Sequence, residues 1–241
     1  LNKDGVNIVS LEDPVEYLIE GINQSQIKPE IGYDFPQGLR QILRQDPDVI
    51  MIGEVRDGQT ASLVIHSALT GHIVLSTLHT NNVIGVIPRL LDMGVDRYLI
   101  PSSLSLAISQ RLVRRLCDHC KEKQESVKEI ASLIIKEIAQ SPLDIQKKAA
   151  PILGEKEKTV YIFVPKGCKD CGGSGFSGRI GIFEILKMTQ ELQEIILKDP
   201  SETNIAKEAK RQGMATMRQD GILKVLDGVT TIEEVLRETG A

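Results

Sequence analysis

Short aliphatic runs that alternate with helix-like segments constrain the fold of this chain more than any other feature. Residues 49–52 (Val-Ile-Met-Ile) and 73–77 (Ile-Val-Leu-Ser-Thr) are two such runs, and residues 59–69 between them have the composition of a helix. Apolar runs rich in β-branched residues are typical of parallel strands that are covered on both faces. Strand, helix and strand in this order predict a right-handed crossover and a parallel sheet, and therefore an α/β fold.

The same alternation extends to about residue 116. We expect a strand at 7–11, a short polar hairpin at 20–26 and a helix at 35–45, in which Asp34 is the N-cap and Pro36 lies in the first turn. Two further helices are expected at residues 83–93 and 101–111.

The composition then changes twice, which predicts three parts: residues 1–116, 117–178 and 179–241. The second part holds two cysteine pairs around a Lys/Glu-rich stretch that should form two short helices. The third part should begin with a strand at 179–186. Amphipathic helices should follow it at 190–198, 203–212, 218–226 and 231–237.

The overall charge excludes several classes of partner. The chain has 29 basic and 33 acidic residues, a net charge of -4 and no block of like charge, so direct nucleic-acid binding is not expected. No apolar run approaches the roughly 20 residues of a membrane span, and a signal peptide is not expected. A cytoplasmic protein is expected. Because the first residue is Leu1 and a strand follows almost at once, the chain is expected to be part of a longer one.

Polar residues follow three of the predicted strands directly. Glu12, Asp13 and Glu16 follow the first, Glu54 ends the second, and His79 comes after the third. In a parallel sheet the carboxyl ends of the strands meet at one edge, where ligands bind. Carboxylates gathered there repel one another unless a cation bridges them, and Mg²⁺ beside a nucleotide is the cation that suits this arrangement.

The remaining basic candidates have an ordinary explanation as well as a functional one. His72 lies before the third strand and is, like most lone histidines, compatible with a purely structural role. Arg40 and Arg44 are four residues apart on one helix face, which is typical of a solvated surface. The same spacing also suits an arginine finger directed at a γ-phosphate.

Two C-x-x-C pairs, Cys117 with Cys120 and Cys168 with Cys171, indicate a structural zinc site. They are separated by 47 residues, which is long for a zinc ribbon. Disulfides are the alternative, but they belong to secreted proteins. Four thiolates fill a zinc tetrahedron and leave no position for catalysis. The Cys-Lys-Asp-Cys-Gly-Gly-Ser-Gly segment also resembles half of a DnaJ-type repeat, a family that needs several copies where this chain has one.

Three segments in this order resemble the type II secretion and type IV pilus assembly ATPases of the secretion ATPase superfamily. Residues 11–16 (Leu-Glu-Asp-Pro-Val-Glu) resemble that family's Asp box, residues 38–57 its Walker B region, and residues 70–81 its His box. The tail, with residues 214–221 and 228–235, resembles its C-terminal helical region. The resemblance covers almost the whole chain.

The resemblance implies a partial RecA-like ATPase core with a tetracysteine zinc subdomain and a C-terminal helical region. ATP, Mg²⁺ and Zn²⁺ would be the cofactors. The parent protein would be a homo-hexameric motor, cytoplasmic and peripheral at the inner membrane, working with an inner-membrane platform and cytoplasmic adaptor proteins.

Residue roles follow from the same resemblance. Glu54 would act on Mg²⁺ and the attacking water, and Glu16 would be a candidate for water activation. Glu12 and Asp13 would be Asp-box acids. His72 and His79 would sense the γ-phosphate, and the basic residues acting within or between subunits would be Arg40, Arg44 and Arg56.

One departure from the family is that its phosphate loop, G-x-x-x-x-G-K-[ST], does not occur in these 241 residues. Without the amides and lysine of that loop, most phosphate affinity should be lost. The chain by itself is therefore expected to be inactive. The alternatives are a catalytically silent adaptor and a zinc-stabilised interaction module of the same machinery.

Overall fold

A computed structural model describes residues 1–153 and 160–240. Two compact units are present: Leu1–Ala107 with Lys187–Ala206, and Ile108–Leu186 with Lys207–Ala241. Each unit combines two separate segments of the chain, whereas the three parts predicted from composition are each one continuous segment. Residues 154–159 of the Lys/Glu-rich stretch lie outside the described residues.

A four-stranded parallel sheet forms the centre of the first unit and confirms the α/β prediction. Its strands are β1 (Ile8–Glu12), β2 (Ile22–Gln26), β3 (Val49–Val55) and β4 (Ile73–Leu78). Their order is β2-β1-β3-β4, and each neighbouring pair is parallel. The aliphatic runs at 49–52 and 73–77 form β3 and β4. Side chains of β1 and β3 are largely buried. Those of β4 are largely exposed, because β4 lies at the edge of the sheet, so the expectation that this run is covered on both faces is wrong.

The prediction of a polar hairpin at residues 20–26 is wrong. Ile22 pairs with Ile8 in parallel register, which makes β2 an edge strand of the sheet. Its sequence, Ile-Asn-Gln-Ser-Gln, has a turn-like composition. An edge strand has one side open to solvent and therefore tolerates polar residues that a central strand would exclude.

Helices pack against the apolar side chains of this sheet. In α1 (Phe35–Ile42) the Asp34 side chain accepts a hydrogen bond from the backbone N–H of Gln37 at 2.8 Å, which confirms the predicted N-cap. The helix continues as a 3₁₀ turn, Leu43–Gln45. The helices α2 (Gly58–Leu69) and α3 (Val86–Asp92) follow. The core of the unit is aliphatic, with Leu11, Leu39, Ile50 and Ile52 almost fully buried.

The prediction of a helix at residues 101–111 is also wrong. Only Ile100–Ser103 is helical (α4), and Leu106–Leu116 is a strand, β5. Along its first part, exposed and buried residues alternate, which is the two-residue period of a strand. The apolar residues alone fit either period, so the pairing partner of β5 decides between them.

The second unit contains two small sheets. The strands β6 (Lys121–Glu125) and β7 (Tyr161–Pro165) form an antiparallel pair, which the sequence did not indicate. Between them lie α5 (Lys128–Ala139) and α6 (Leu143–Leu153), the two expected short helices. The strand β8 (Phe176–Lys187) matches the strand predicted at 179–186 and pairs with β5.

The four C-terminal helices are confirmed close to their expected limits. They are α7 (Gln190–Lys198), α8 (Glu202–Arg211), α9 (Met217–Leu226) and α10 (Ile232–Thr239). Side chains of α5, α6, α9 and α10 form the main core of the second unit. Among the described residues, no helix combines the length and the apolar character that crossing a bilayer requires.

Candidate functional site at the carboxyl edge of the sheet

Three of the predicted residues lie on neighbouring strands at the same edge of the sheet. Glu12 is the last residue of β1, Glu54 is the penultimate residue of β3, and His79 directly follows β4. Because the three strands are parallel and adjacent, their carboxyl ends lie side by side, about 4.8 Å apart from one strand to the next. The fold therefore gathers acidic and basic groups where a ligand of an α/β sheet binds.

Glu54 is at the centre of this group. Its Oε2 atom accepts hydrogen bonds from Arg56 Nε at 2.5 Å and from His79 Nε2 at 2.9 Å. The Glu54 side chain is only 13% exposed, whereas those of Arg56 and His79 are 63% and 79% exposed. Hydrogen bonding by Arg56, and then by His79, lowers the pKa of Glu54 against the opposing effect of burial. Glu54 is therefore ionised at neutral pH and able to bind a cation or accept a proton.

The backbones of β1 and β3 approach each other closely at Gly53, the residue before Glu54. The pairing of β3 with β4 is irregular between Ile52 and Val55. A Cβ atom at Gly53 would lie 3.3 Å from the carbonyl oxygen of Leu11 and 3.4 Å from Glu12 Cα. Thr77 Oγ1 on β4 donates to the Gly53 carbonyl at 2.6 Å. A glycine at position 53 thus lets three strand ends pack tightly.

The first loop carries two more acids, Asp13 and Glu16. Asp13 follows Glu12, and its negative charge contributes to raising the pKa of Arg56, after the larger effects of Glu54. Glu16 is exposed, and its carboxylate has no hydrogen-bond partner among the residues that the structure describes. The acidic loop therefore adds negative charge to the edge already occupied by Glu12 and Glu54.

The structure does not bring His72, Arg40 and Arg44 to this edge. His72 precedes β4 and so lies at the amino end of that strand, where its Nδ1 is 3.0 Å from the Ser67 carbonyl oxygen. Arg44 lies in the 3₁₀ turn next to Gln45, whose carbonyl accepts from Asn7 at the amino end of β1. Arg40 lies about one helical turn earlier, and both arginines are exposed.

Two residues that hydrogen-bond to Glu12, Ser10 and Gln24, were not predicted from the sequence. Ser10 Oγ donates to Glu12 Oε1 at 2.5 Å, and Gln24 Nε2 donates to the same oxygen at 2.9 Å. Ser10 is fully buried on β1, two residues before Glu12. The two-residue period of a strand puts Ser10 and Glu12 on the same face and could have indicated the first contact. The second depends on the parallel pairing of β2, which the polar sequence of that strand does not indicate.

The acids at the carboxyl edge do not by themselves provide a complete set of ligands for a cation. Among residues 1–153 and 160–240, the four cysteines are the only group of three or more His, Cys, Asp or Glu residues whose ligand atoms lie together. Mg²⁺ typically takes one or two protein carboxylates and completes its shell with phosphate oxygens and water. Glu12, Asp13 and Glu54 each offer carboxylate oxygens at adjacent strand ends, and one or two of them would suffice for Mg²⁺ bound together with a phosphate ligand.

The four cysteines form a compact cluster in the second unit. Their ligand atoms all lie within 4.8 Å of one another. The separation of Sγ atoms is 3.9 Å for Cys117 and Cys168, 3.8 Å for Cys120 and Cys171, and 3.7 Å for Cys168 and Cys171. A zinc ion with thiolates at about 2.3 Å gives a tetrahedron with edges of about 3.8 Å, whereas a disulfide needs about 2.05 Å. The cluster therefore fits zinc and not disulfide pairing.

The backbone around the cluster favours a thiolate at one position. Cys171 Sγ accepts N–H groups from Cys168 and Gly175, both at 3.2 Å. These bonds, that of Cys168 first, lower the pKa of Cys171 to about 6, while burial raises the pKa of Cys120 to about 12. Several thiolates this close are stable only with a cation between them, which zinc would provide.

The chain belongs to the family described as Type II/IV secretion system protein, whose profile matches residues 1–237. Among its relatives, the type IV pilus assembly ATPase PilB of Myxococcus xanthus is 43% identical over 239 residues. The match covers 99% of this chain and 40% of that protein. The type II secretion system ATPase E of Vibrio cholerae is also 43% identical over 239 residues, with 99% and 44% covered.

Solved structures show the same fold at lower identity. The Legionella pneumophila ATPase DotB matches with a TM-score of 0.63 and 23% identity, covering 98% of this chain and 52% of that one. The pilus retraction motor PilT with bound ADP matches with a TM-score of 0.64 and 22% identity, covering 100% and 55%. The chain spans about two fifths of the length of the curated relatives that it matches.

Proposed function

We propose that this chain is part of an ATP-hydrolysing motor subunit that powers type IV pilus assembly or type II protein secretion. The observation that carries the proposal is the position of Glu12, Glu54 and His79 at the carboxyl ends of three adjacent parallel strands, with His79 hydrogen-bonded to Glu54 at 2.9 Å. Relatives that are 43% identical over nearly the whole chain are named as ATPases of these two machines, which supports the same activity here.

Each group at the edge has a chemical role in this proposal. ATP with Mg²⁺ would supply the phosphoryl group that is transferred to water. Glu54, kept ionised by Arg56 and His79, orients the attacking water and accepts its proton. Glu12 and Asp13 offer oxygens to Mg²⁺, and Glu16 is a second candidate for activating water. His79 and Arg56 stabilise negative charge that develops on the phosphate.

Three predicted site residues, His72, Arg40 and Arg44, lie away from the carboxyl edge of the sheet and need indirect roles in this proposal. His72 would have to sense the γ-phosphate indirectly, through β4, because it lies at the opposite end of that strand from His79. Arg40 and Arg44 are exposed on α1 and the turn after it, and a basic pair there would serve at a boundary between subunits of a homo-hexamer.

The wider setting is proposed from the family to which the chain belongs. The parent would work in the cytoplasm against the inner membrane, with a platform protein and cytoplasmic adaptors as partners. The tetracysteine centre would hold a structural Zn²⁺. These 241 residues contain no phosphate-loop pattern and are proposed to be inactive on their own.

A substitution of Glu54 tests the proposed activity. In the protein encoded by the complete reading frame that contains this chain, Glu54→Gln should reduce kcat for ATP hydrolysis by about 100-fold or more, since the amide cannot accept a proton. Binding of Mg-ATP should be kept within a few fold. Phosphate release and nucleotide titration measure the two quantities.

Glu129→Gln is the matched control, because Glu129 is an exposed acid in the first turn of α5 and belongs to the second unit, whereas the strand ends belong to the first. It should leave kcat unchanged. A wild-type protein that binds but does not hydrolyse Mg-ATP would refute the enzymatic proposal in favour of an adaptor. Full activity of the Glu54 variant would refute the assigned role of Glu54.

A further inference from the structure

The amide of Gln24 makes three hydrogen bonds at the carboxyl edge of the sheet. Its Nε2 atom donates to Glu12 Oε1 at 2.9 Å and to the Tyr17 carbonyl at 3.0 Å. Its Oε1 atom accepts from the backbone N–H of Ile19 at 2.7 Å. One side chain on the edge strand β2 thus contacts both an acid at the site and the loop that follows it.

Chemistry fixes the direction in which this amide points. With Nε2 towards Glu12 and Tyr17, both N–H bonds meet acceptors, while the carbonyl meets the donor of Ile19. A reversed amide would direct its carbonyl at two acceptors and its N–H groups at a donor. The three contacts are therefore mutually dependent, and the loss of one weakens the geometry of the other two.

Parallel pairing brings Gln24 into position. Ser10 is the register partner of Gln24 across β1 and β2, and its hydroxyl donates to the same Glu12 oxygen at 2.5 Å. Glu12 Oε1 therefore accepts two hydrogen bonds. Glu12 Oε2 has no hydrogen-bond partner among the described residues. The carboxylate is held by one oxygen, which leaves the other one to bind a cation or water.

The loop between β1 and β2 depends on the same side chain. It carries Asp13 and Glu16 and exposes Tyr17 and Leu18, with Leu18 92% exposed. Such apolar exposure provides little packing to hold the loop in place. The Gln24 contacts to Tyr17 and Ile19 hold its middle, and a hydrogen bond from Asn2 Nδ2 to the Glu20 carbonyl at 2.8 Å holds its end. Movement of this loop would pull on the amide that orients Glu12.

We infer that Gln24 is a positioning residue for the hydrolytic site: its amide orients the Glu12 carboxylate and couples it to the acidic loop at residues 13–21. This role rests on the proposed ATPase function. Gln24 does not touch the reacting atoms; it acts through Glu12 and through the placement of Asp13 and Glu16.

Kinetics of the full-length protein test the role at the site. Gln24→Ala should lower kcat about tenfold or more while KM for Mg-ATP changes less than about twofold, because orientation of the acid matters in the reaction and little in nucleotide binding. Gln24→Glu keeps the shape but removes both donors and places a carboxylate against Glu12, so it should lose at least as much activity.

Gln26→Ala is the matched control, since Gln26 lies two residues along the same strand and is exposed. It should leave kcat unchanged. All variants should keep the unfolding midpoint of the wild type. A Gln24→Ala protein with normal kcat, or with an equal loss in KM and kcat at a lowered unfolding midpoint, would overturn the positioning role.

Hydrogen exchange of the same full-length proteins gives a readout that does not need activity. The loop peptide containing the Ile19 amide should exchange about tenfold faster in Gln24→Ala and normally in Gln26→Ala. Unchanged exchange would overturn the coupling to the loop. A wild-type protein without ATPase activity would refute the proposed function and the kinetic role together, whereas an active wild type with an unaffected Gln24 variant would refute only the latter.

Discussion

At the scale of single residues, one buried acid of the second unit is held by several hydrogen bonds. Glu234 of α10 has a side chain only 2% exposed, and its carboxylate accepts from Arg114 Nη2 at 2.7 Å and from the Arg114 backbone N–H at 2.9 Å. Arg237 pairs with it from the next turn of the helix. Burial alone would raise the pKa of Glu234, but these hydrogen bonds lower it from an ordinary 4.5 to about 2.

Replacement of this acid should destabilise the second unit. Glu234→Gln keeps the shape but removes the charge, and should lower the free energy of unfolding by about 2 kcal/mol near neutral pH. A folded-state pKa below the unfolded one stabilises the fold at pH values above the unfolded pKa, and this contribution is lost as the pH falls towards about 2. The difference between variant and wild type should therefore shrink on acidification.

Denaturant unfolding at about pH 7 and about pH 3 measures both effects. Glu238→Gln is the control, because Glu238 pairs with the same Arg237 at 3.1 Å but is more exposed; it should cost less than about 0.5 kcal/mol. An equal loss for both variants, or a difference that does not depend on pH, would contradict the assignment of stability to the buried carboxylate.

At the scale of elements, the tetracysteine cluster is connected to the turn between α9 and α10. The backbone N–H of Leu116, next to Cys117, donates to the Val229 carbonyl at 2.9 Å. Lys121 Nζ donates to the Gly228 carbonyl at 2.9 Å, and Thr230 Oγ1 donates to the Arg114 carbonyl at 2.8 Å. Metal binding should therefore stabilise this turn as well as the cysteine loops.

Loss of the metal should loosen that turn. Cys171→Ser should reduce zinc content from about one ion per chain and speed hydrogen exchange in residues 226–232, while exchange in β3 of the first unit stays unchanged. Metal analysis and exchange by mass spectrometry measure the two effects. His119→Ala should keep the zinc, because four cysteines already fill the tetrahedron. Zinc loss in the His119 variant, or equal exchange in β3 and the turn, would contradict this account.

Some elements could be predicted from the sequence and others could not, for identifiable reasons. The strands β1 and β3 are central and buried on both faces, so their aliphatic runs indicate them without knowledge of the neighbours. The strands β2 and β5 have polar or mixed sequences, and pairing with another strand determines their conformation. Residues of the candidate site depend on their strands in the same way. The position of Glu54 at a strand end was predictable because that strand is central and aliphatic. The contact of Gln24 with Glu12 was not predictable, because Gln24 lies on β2, which was expected to be a hairpin.

At the scale of the whole molecule, the described site consists of side chains without a dedicated phosphate cradle. Glu12, Asp13 and Glu54 are acids that would repel a triphosphate in the absence of Mg²⁺, and Arg56 is already paired with Glu54. Phosphate affinity in nucleotide-binding proteins comes mainly from loop amides and a lysine in the G-x-x-x-x-G-K-[ST] pattern, which these 241 residues do not contain.

The isolated 241-residue chain should therefore bind Mg-ATP weakly and not hydrolyse it. Calorimetric titration should show no saturation up to about 1 mM nucleotide, which corresponds to a binding free energy weaker than about 4 kcal/mol. The protein from the complete reading frame should bind in the micromolar range under the same conditions. Since the carboxyl edge is present in both, such a difference would assign the affinity to sequence outside these 241 residues. Micromolar binding by the isolated chain would instead mean that Arg56 and His79 hold the phosphates without a loop.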